Sequence, residues 1–390
     1  MIIEKARRLL ENHEICDHCL GRMFGLLGKS ENYIRGKSIR LILNMEREIN
    51  GESPILEPPK CELCEGVFKK VDHLARICYE KASKMGLEFE TFLVGSRFPK
   101  EVLEKEQKIM NEFDLKHAEP INRELNREIG KILEIILQKQ VNKGNPDVVF
   151  IIEPYTERIE LQIKPLHVYG RYRKLVRAIP QTPLKGFKES VASIICRPFS
   201  KVTGGKCVFH GAGREDIDVR MLGNGRPFVV EVKRPIKRKI NLKEIAEEIN
   251  RSGKVEVLDL KCISKKEAEK VLTPNHKKEY EALVCVEEGI SREEVENVVE
   301  ALRGADIHQM TPRRVLGRRA DLVRIRRVHE IEGELIDEKH FKLRLITDGG
   351  LYIKELISGD GSRTIPSVTE VLGKNAWCKK LDVLNILDGE

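Results

Sequence analysis

The sequence has few aromatic residues and no long hydrophobic run. Phe, Trp and Tyr make up 5% of its 390 residues, and there is one Trp. No apolar stretch approaches the roughly 20 residues that a membrane-spanning helix needs. Met1 is followed by a charged, amphipathic stretch rather than by a signal peptide. We therefore expect a cytoplasmic protein that makes no membrane contact.

A large excess of charge of one sign is also lacking. Lys and Arg number 70 against 62 Asp and Glu, for a net charge of +8. The excess is uneven, because basic clusters recur beyond residue 160. Clustered positive charge favours a polyanionic partner, most often a nucleic acid, although a solvated surface with many ion pairs is the alternative.

Hydrophobic residues make up 41% of the sequence, enough for folded cores, and their pattern predicts an α+β protein. Residues 123–139 have apolar positions at helical spacing, whereas residues 148–152 and 158–163 look like paired strands. Beyond residue 183, helices alternate with strands that look mostly antiparallel. The clearest strands are 228–233, 255–260, 281–286 and 341–346.

We predict three segments: a cysteine-bearing segment (1–65), a compact α/β unit (66–168) and a larger α+β unit (169–390). The basic stretch 169–177, followed by Ala-Ile-Pro-Gln-Thr182, is expected to be a surface connection between domains because of its Gly and Pro content. A capping-box pattern, Ser291 followed by Glu294, predicts the start of a helix.

Two Cys-x-x-Cys pairs predict a metal site. They are Cys16-Asp-His-Cys19 and Cys61-Glu-Leu-Cys64, and four thiolates form the closed tetrahedral set that structural zinc prefers. The long intervening segment predicts a small helical insert between the pairs. The other six cysteines, such as Cys196 and Cys285, have apolar neighbours and are expected to be reduced core residues.

The stretch Gly211-Ala-Gly-Arg-Glu-Asp-Ile-Asp-Val-Arg220 is the most informative for catalysis. Three carboxylates lie within four residues, beside arginines and apolar side chains, a setting typical of a nucleophilic carboxylate. Two alternatives stay open on these residues alone, a structural role without catalysis and a metal-dependent nuclease. Asp216 or Asp218, with Glu231-Val-Lys233, fits the D…ExK pattern of metal-dependent nucleases, in which the acids hold Mg²⁺.

Several stretches, in order along the chain, resemble the pseudouridine synthase 10 family. Gly213-Arg-Glu-Asp216 is similar to the Gly-Arg-Thr-Asp motif of TruA-type pseudouridine synthases, and the longer string through Phe228 looks like the family signature. Further similar stretches are 16–24, 164–177, 311–316 and 350–356.

The resemblance implies a zinc-containing accessory domain with a THUMP module, joined to a catalytic domain with a mostly antiparallel sheet. It implies a tRNA pseudouridine synthase that isomerises uridines 54 and 55 of the T-arm, with tRNA as the partner and a monomer as the default state. No organic cofactor is expected, since the isomerisation needs neither a redox step nor a group donor. A tRNA-binding protein without catalytic activity is a third hypothesis.

The motif match places the nucleophile at Asp216, with Asp218 as the fallback. Tyr280 resembles the tyrosine that packs on the target base, and Lys354 resembles the basic partner of the aspartate. Leu372 is a weaker match to the aliphatic residue beneath the base. Lysine stands where many synthases have arginine, which keeps the sign of the ion pair but loses the bidentate fork.

Two basic clusters are the candidate RNA-binding surfaces. Aromatic residues among cations suit looped RNA, which describes Arg171, Arg173 and Lys174 with their neighbouring tyrosines. Arginine-rich stretches suit phosphate, and seven arginines lie between residues 313 and 327. We select Arg313, Arg314, Arg318 and Arg319 from these, together with Arg214 of the motif.

Overall fold

The computed structural model describes residues 2–272, 276–317 and 320–387. They form two compact units that divide between Lys164 and Pro165. Both units mix helices with sheet, so the predicted α+β class is confirmed. The finer division into 1–65, 66–168 and 169–390 stays a prediction. Among the described residues, no helix is both long and apolar enough to cross a membrane.

The first unit contains a small sheet with the strand order β2-β1-β3-β4. Strand β1 is parallel to β2 and β3, whereas β3 and β4 form an antiparallel hairpin. The described elements are α1 (Ile2–Asn12), α2 (Asp17–Arg22), α3 (Asn32–Ile49), α4 (Val71–Lys84), β1 (Thr91–Ser96), α5 (Lys100–Glu112), α6 (Ile121–Leu137), β2 (Gln140–Val141), β3 (Val148–Glu153) and β4 (Arg158–Ile163).

Helix α6 shows how the sequence determines this unit. Ile121, Leu125, Ile129 and Leu133 recur every fourth residue and are all buried, as a helix with one core-facing stripe requires. The helix begins and ends two residues before the predicted range 123–139. It begins directly after Pro120, whose fixed φ suits a helix start, and it ends where Gln138 adopts a left-handed conformation.

The second unit is built on one large mixed sheet. Its described elements are β5 (Leu166–Lys174), α7 (Val191–Thr203), β6 (Lys206–Gly211), β7 (Arg220–Lys233), α8 (Leu242–Asn250), β8 (Val255–Ile263), α9 (Lys265–Val271), β9 (Lys277–Val286), α10 (Arg292–Leu302), β10 (Asp306–Met310), β11 (Val323–Asp337), β12 (His340–Thr347), α11 (Ile353–Ser358), β13 (Thr364–Ile365), α12 (Val368–Leu372) and β14 (Ala376–Leu387).

The strand order is β13-β10-β11-β12-β9-β14-β7-β5-β8, with β6 also paired to β7. Strand β14 joins the two halves of the sheet, because it pairs antiparallel to β9 and parallel to β7. The other pairings in this sheet are antiparallel, as predicted. Helix α10 has the predicted capping box, in which Ser291 and Glu294 each accept a hydrogen bond from the other's backbone N–H.

Two expectations about this unit were wrong. The stretch 169–177 is not a surface connection, since most of it is β5, a strand paired on both sides with β7 and β8. Cys196 of α7 is not reduced, because it forms a disulfide with Cys207 of β6 across a Cα–Cα distance of 5.4 Å. Cys285 is a buried free cysteine as expected, whereas Cys262 is exposed. Apolar neighbours in sequence do not reveal a partner in another element.

Candidate active site and metal centre

The loop between β6 and β7 holds Asp216 at the meeting point of two cations. Arg314 Nη1 lies 3.1 Å and Lys354 Nζ 3.3 Å from Asp216 Oδ2. Arg314 lies in a short 3₁₀ turn after β10, and Lys354 lies in the first turn of α11. The Asp216 side chain remains 38% exposed. The structure thus brings together a half-buried carboxylate and two cations from distant parts of the sequence.

Asp218 shares Lys354 but is more open to solvent. Lys354 Nζ lies 2.7 Å from Asp218 Oδ1, and the Asp218 side chain is 67% exposed. Partial burial opposes ionisation, yet the hydrogen bond and charge of Lys354 lower the pKa of Asp218. One ammonium group therefore bridges the two aspartates of the loop.

Arg314 is fixed by a second carboxylate and by a ring. Its Nε donates to Glu355 Oε1 at 2.5 Å, and its guanidinium lies 5.7 Å from the centre of the Tyr352 ring. Burial opposes its charge, but Glu355 and Asp216 raise the pKa of Arg314. A predicted RNA-binding arginine is thus placed inside the carboxylate cluster.

The backbone of the loop is held from the opposite side. Lys174 Nζ donates to the carbonyl oxygens of Ile179, Asp216 and Ile217, each at 3.0 Å. The Ala178 N–H also donates to the Ile217 carbonyl at 3.0 Å. Lys174 is fully buried, and burial lowers its pKa. The sequence predicted an RNA-binding Lys174, but its ammonium is instead directed at the protein's own carbonyl groups.

Beneath the loop lies a buried polar network that the sequence analysis missed. Glu215 Oε2 accepts from Arg226 Nε at 2.9 Å and from the Tyr172 hydroxyl at 2.8 Å. Gln181 donates both to that hydroxyl and to the Gly213 carbonyl. Such charges are kept inside a fold only when they are paired. The available signal was Arg226 itself, which directly precedes the apolar strand residues Pro-Phe-Val-Val.

Tyr280 lies on β9 and is 7% exposed. Burial raises the pKa of Tyr280 to about 12, although Arg226 opposes the shift, so its hydroxyl stays protonated near neutral pH. Leu372 ends α12 and packs, partly buried, against the core. Within the described ranges, no hydrogen bond links Tyr280 to Asp216 or Lys354.

The other predicted RNA-binding residues have different environments. Arg171 is buried and donates to the Gly225 and Ile386 carbonyls. Arg173 binds the Gly223 carbonyl and pairs with Glu256 at 2.8 Å. The cluster around β5 is therefore largely engaged within the protein, because Arg171 and Lys174 are buried and Arg173 is half-buried and paired with Glu256.

Arg214 and Arg313 are exposed. No hydrogen bond or ion pair of Arg214 is found among the described residues. Arg313 has its backbone N–H bound to Asp360. Arg318 and Arg319 lie outside the described residues. Of the predicted RNA-binding arginines that the structure describes, the exposed ones thus lie in the Asp216 loop and after β10.

The geometry does not support the nuclease pattern. Glu231 lies 3.3 Å from His210 and 3.7 Å from Lys233, whereas Asp216 and Asp218 are held by Arg314 and Lys354. Among the described residues, the acids of the D…ExK pattern do not converge on a common point, and the cluster suited to a metal is the cysteine set. A Mg²⁺ site needs carboxylate oxygens directed at one ion.

Cys16, Cys19, Cys61 and Cys64 form that cluster in the first unit. All four are buried, and their sulfur atoms lie within 4.8 Å of one another. The Cys16 and Cys64 sulfur atoms are 3.6 Å apart, close to the separation that a tetrahedral ion with bonds of about 2.3 Å imposes. The predicted helical insert between the two pairs is found as α3. The four thiols could therefore bind one metal ion.

Glycine permits the close packing beside this cluster. A Cβ on Gly21 would lie 1.8 Å from the Asn32 carbonyl oxygen, and one on Gly36 would lie 1.8 Å from that of Asp17. Helices α2 and α3 therefore touch backbone to backbone, which no larger residue allows. His18 is not directed at the cluster, since it stacks on Phe68 at 4.6 Å.

Comparison with known proteins agrees with this architecture. The family model for Pus10, C-terminal, matches residues 167–387, and the model for the Pus10 THUMP domain, archaeal, matches residues 78–153. A tRNA pseudouridine synthase Pus10 from Pyrococcus furiosus is 61% identical, covering 100% of this chain and 98% of its own length. The chain belongs to the Pus10 family.

A second Pus10 relative, from Methanocaldococcus jannaschii, is 42% identical over 97% of this chain and 93% of its own. Among solved structures, one of a Cbf5-Nop10-Gar1 complex covers 55% of this chain and 47% of its own, with 18% identity and a TM-score of 0.32, too remote to carry an argument. Membership of the Pus10 family confirms the resemblance predicted from the sequence, including a THUMP domain and an enzyme of the pseudouridine synthase class.

Proposed function

We propose that this chain converts uridines 54 and 55 of the tRNA T-arm to pseudouridine, with Asp216 as the nucleophile. Membership of the Pus10 family supports the activity and the tRNA substrate. The observation that supports Asp216 is its position between Arg314 and Lys354, 3.1 and 3.3 Å away. Asp218 is the weaker candidate because its carboxylate is mostly in solvent.

The reaction rearranges bonds within one nucleotide. The uridine leaves its stack, at a cost of a few kcal/mol that pocket contacts offset. Asp216 attacks either the sugar or the base, and the C1′–N1 bond breaks. The base turns, C1′ joins C5, and the bond between Asp216 and the nucleotide breaks, which restores the free carboxylate. The C5 proton is then lost and N1 gains one, so no atom is added overall.

The cations and the buried network keep the nucleophile in one geometry. Arg314 and Lys354 fix its carboxylate, while Lys174 and Ala178 fix the backbone that carries it. Such positioning is worth several kcal/mol of barrier when the reacting atoms are brought into contact. Tyr280, with its protonated hydroxyl, supplies an aromatic face for the everted base. Leu372 is the proposed aliphatic residue beneath the base.

The exposed arginines are the proposed RNA contacts. Arg214 stands in the same loop as Asp216 and lacks an ion pair among the described residues, so it is available to a phosphate beside the target. Arg313 is exposed next to Arg314. For the internal residues Arg171, Arg173 and Lys174, we propose structural roles in place of RNA contacts.

We propose that the four-cysteine cluster holds Zn²⁺ and that the ion is structural. Four buried thiolates leave no open coordination position for water or substrate. The ion would tie the segment containing α2 and α3 to the rest of the first unit. We further propose that the protein acts as a cytoplasmic monomer without an organic cofactor.

The deciding experiment maps pseudouridine at nucleotide resolution on an unmodified tRNA transcript, using carbodiimide chemistry. The wild type is expected to modify positions 54 and 55, and Asp216→Ala to modify neither while still binding the transcript. Asp218→Ala is the matched control and is expected to keep most of the activity.

Each contrary result removes a different part of the proposal. Modification at other positions would remove the T-arm assignment. Loss of activity in Asp218→Ala but not in Asp216→Ala would move the nucleophile to Asp218. Absence of any pseudouridine with the wild type would overturn the function itself.

A further inference from the structure

Lys278 is a basic residue of β9 that the catalytic scheme has not used. It precedes Tyr280 by two residues, so both side chains lie on the same face of the strand. Its Nζ lies 3.9 Å from the position that a Cβ on Gly213 would occupy, and Arg226 is closer still to that point. Lys278 therefore lies near Gly213 of the Asp216 loop and on the same face of β9 as the tyrosine proposed to contact the base.

The charges around Lys278 do not balance. Arg226 and Lys278 are two cations near one buried carboxylate, Glu215, and Glu215 is already bound to Arg226 at 2.9 Å. Throughout the described ranges, the Lys278 side chain has no hydrogen bond and no ion pair. Burial, together with the charge of Arg226, lowers the pKa of Lys278 to about 8.

A partly buried, unpaired ammonium group destabilises a fold. The presence of such a lysine is explained if the substrate supplies the missing negative charge during the catalytic cycle. Groups whose charge is disfavoured by burial and set beside a reactive loop are typical of functional sites. The position next to Tyr280 indicates that this ligand is the base rather than a distant phosphate.

We propose that Lys278 stabilises the negative charge that the uracil ring acquires while it is detached from the ribose. This inference rests on the proposed function. When the C1′–N1 bond breaks, its electron pair stays on the base, which becomes a uracil anion. The charge disappears again when C5 bonds to C1′ and loses its proton and N1 is protonated. Lys278 contributes charge only and keeps its own protons.

This role differs from a phosphate contact in its timing. A phosphate is charged before, during and after the reaction, so a contact to it would change binding. The uracil anion exists only along the reaction path, so its stabilisation changes the rate of the bound complex. Lys278 thereby becomes a catalytic residue, since it would touch the reacting base.

The test uses single-turnover rates at saturating enzyme, on tRNA transcripts made with uridine or with 5-fluorouridine. Lys278→Met is expected to slow uridine isomerisation by about 100-fold, the usual effect of removing one preorganised charge-stabilising group. The enzyme concentration that gives half of the maximal single-turnover rate and the salt dependence of tRNA binding are expected to stay unchanged. Lys278→Arg is expected to recover most of the rate.

The fluorinated substrate separates this role from a structural one. Fluorine withdraws electrons and stabilises the ring anion by itself, so the loss in Lys278→Met is expected to shrink by about tenfold, measured as loss of 5-fluorouridine from nuclease digests. The variant is also expected to melt at or above the wild-type temperature, because an unpaired charge has been removed.

An equal loss on both substrates, or a lower melting temperature, would overturn the proposal in favour of a structural lysine. A shallower salt dependence with weaker binding would overturn it in favour of a phosphate contact. A wild-type rate in Lys278→Met, beside an inactive Asp216→Ala, would overturn the Lys278 role alone. An inactive wild type would instead reject the proposed function.

Discussion

The cysteine cluster of the first unit and the Asp216 loop of the second are both assembled from residues far apart in sequence, yet they are built differently. The four sulfur atoms are buried and converge on one point. The loop keeps its two aspartates partly exposed and holds them with cations from two elements, while Lys174 holds the backbone from the other side. Under the proposed roles, closure serves stability and partial exposure serves reaction. Substitutions in the cysteine cluster should therefore change the stability of the first unit, whereas substitutions around Asp216 should change the reaction rate.

The largest expected effect is on the metal centre. Cys61→Ser removes one thiolate from the set proposed to bind Zn²⁺, and structural zinc contributes about 10–16 kcal/mol in zinc-finger peptides. We expect loss of bound metal and a much lower unfolding temperature for the first unit, measured by elemental analysis and calorimetry. Cys78→Ser, a buried cysteine outside the cluster, is the control. Equal behaviour of the two variants would contradict a structural metal site.

The Glu215–Arg226 ion pair is an exception to this comparison, because it is fully buried although it lies beneath the partly exposed Asp216 loop. Glu215→Leu leaves the Arg226 charge unpaired and is expected to cost about 3–5 kcal/mol of unfolding free energy, measured with denaturant. The double variant Glu215→Leu/Arg226→Met is the control and should be more stable than the single variant. If the double variant is the less stable of the two, the pair is not the cause.

Lys174 tests whether backbone support matters for the rate. Lys174→Met removes three hydrogen bonds to carbonyl groups, two of them in the loop. A displaced nucleophile can lower the rate by about 10–100-fold, with tRNA binding unchanged, as measured by single-turnover pseudouridine formation and filter binding. Lys185→Met, at an exposed lysine of the same unit, is the control. A selective loss of tRNA affinity would instead restore the RNA-binding role predicted from the sequence.

The smallest effect concerns Asp218. Its pKa is lowered in the folded state, so its ion pair stabilises the fold above the unfolded pKa of about 4 and is lost as pH falls through the folded value. Because the side chain is 67% exposed, solvent screening should keep this contribution below about 0.5 kcal/mol. Urea unfolding at pH 6 and pH 3 should show a slightly flatter pH dependence in Asp218→Asn. Glu334→Gln, an exposed control, should leave it unchanged, and a large effect would mean that the pair is better shielded than its exposure indicates.

Local patterns in the sequence predicted much of the fold. The apolar spacing of α6, the alternation along β4 and the capping box of α10 depend on neighbours within a few residues, so they are legible without a structure. The two Cys-x-x-Cys pairs were equally legible, because the chemistry of the ligands fixes their spacing.

What the sequence could not reveal depends on distant pairing. The stretch 169–177 has the composition of a connection, and only its pairing with β7 and β8 makes it internal. Lys174 looked like an RNA contact because two of its three carbonyl partners, those of Asp216 and Ile217, lie 42 and 43 residues away. The Cys196–Cys207 disulfide and the Glu215–Arg226 pair each span only 11 residues, but they join different elements, and the contact between those elements is not visible in the sequence. The candidate nucleophile came from a motif, but its partner Arg314 was assigned to RNA.

The position of β14 has a consequence for synthesis. The strands on either side of it, β7 and β9, are made long before residues 376–387 emerge from the ribosome. Until then the nascent chain carries two half-sheets, each with an open edge that invites pairing with another molecule. Arg220, which directly follows the Asp216 loop, pairs with Asp382 of β14. This ion pair also cannot form until β14 has been made. A chain cut short before residue 376 is therefore expected to be aggregation-prone and inactive.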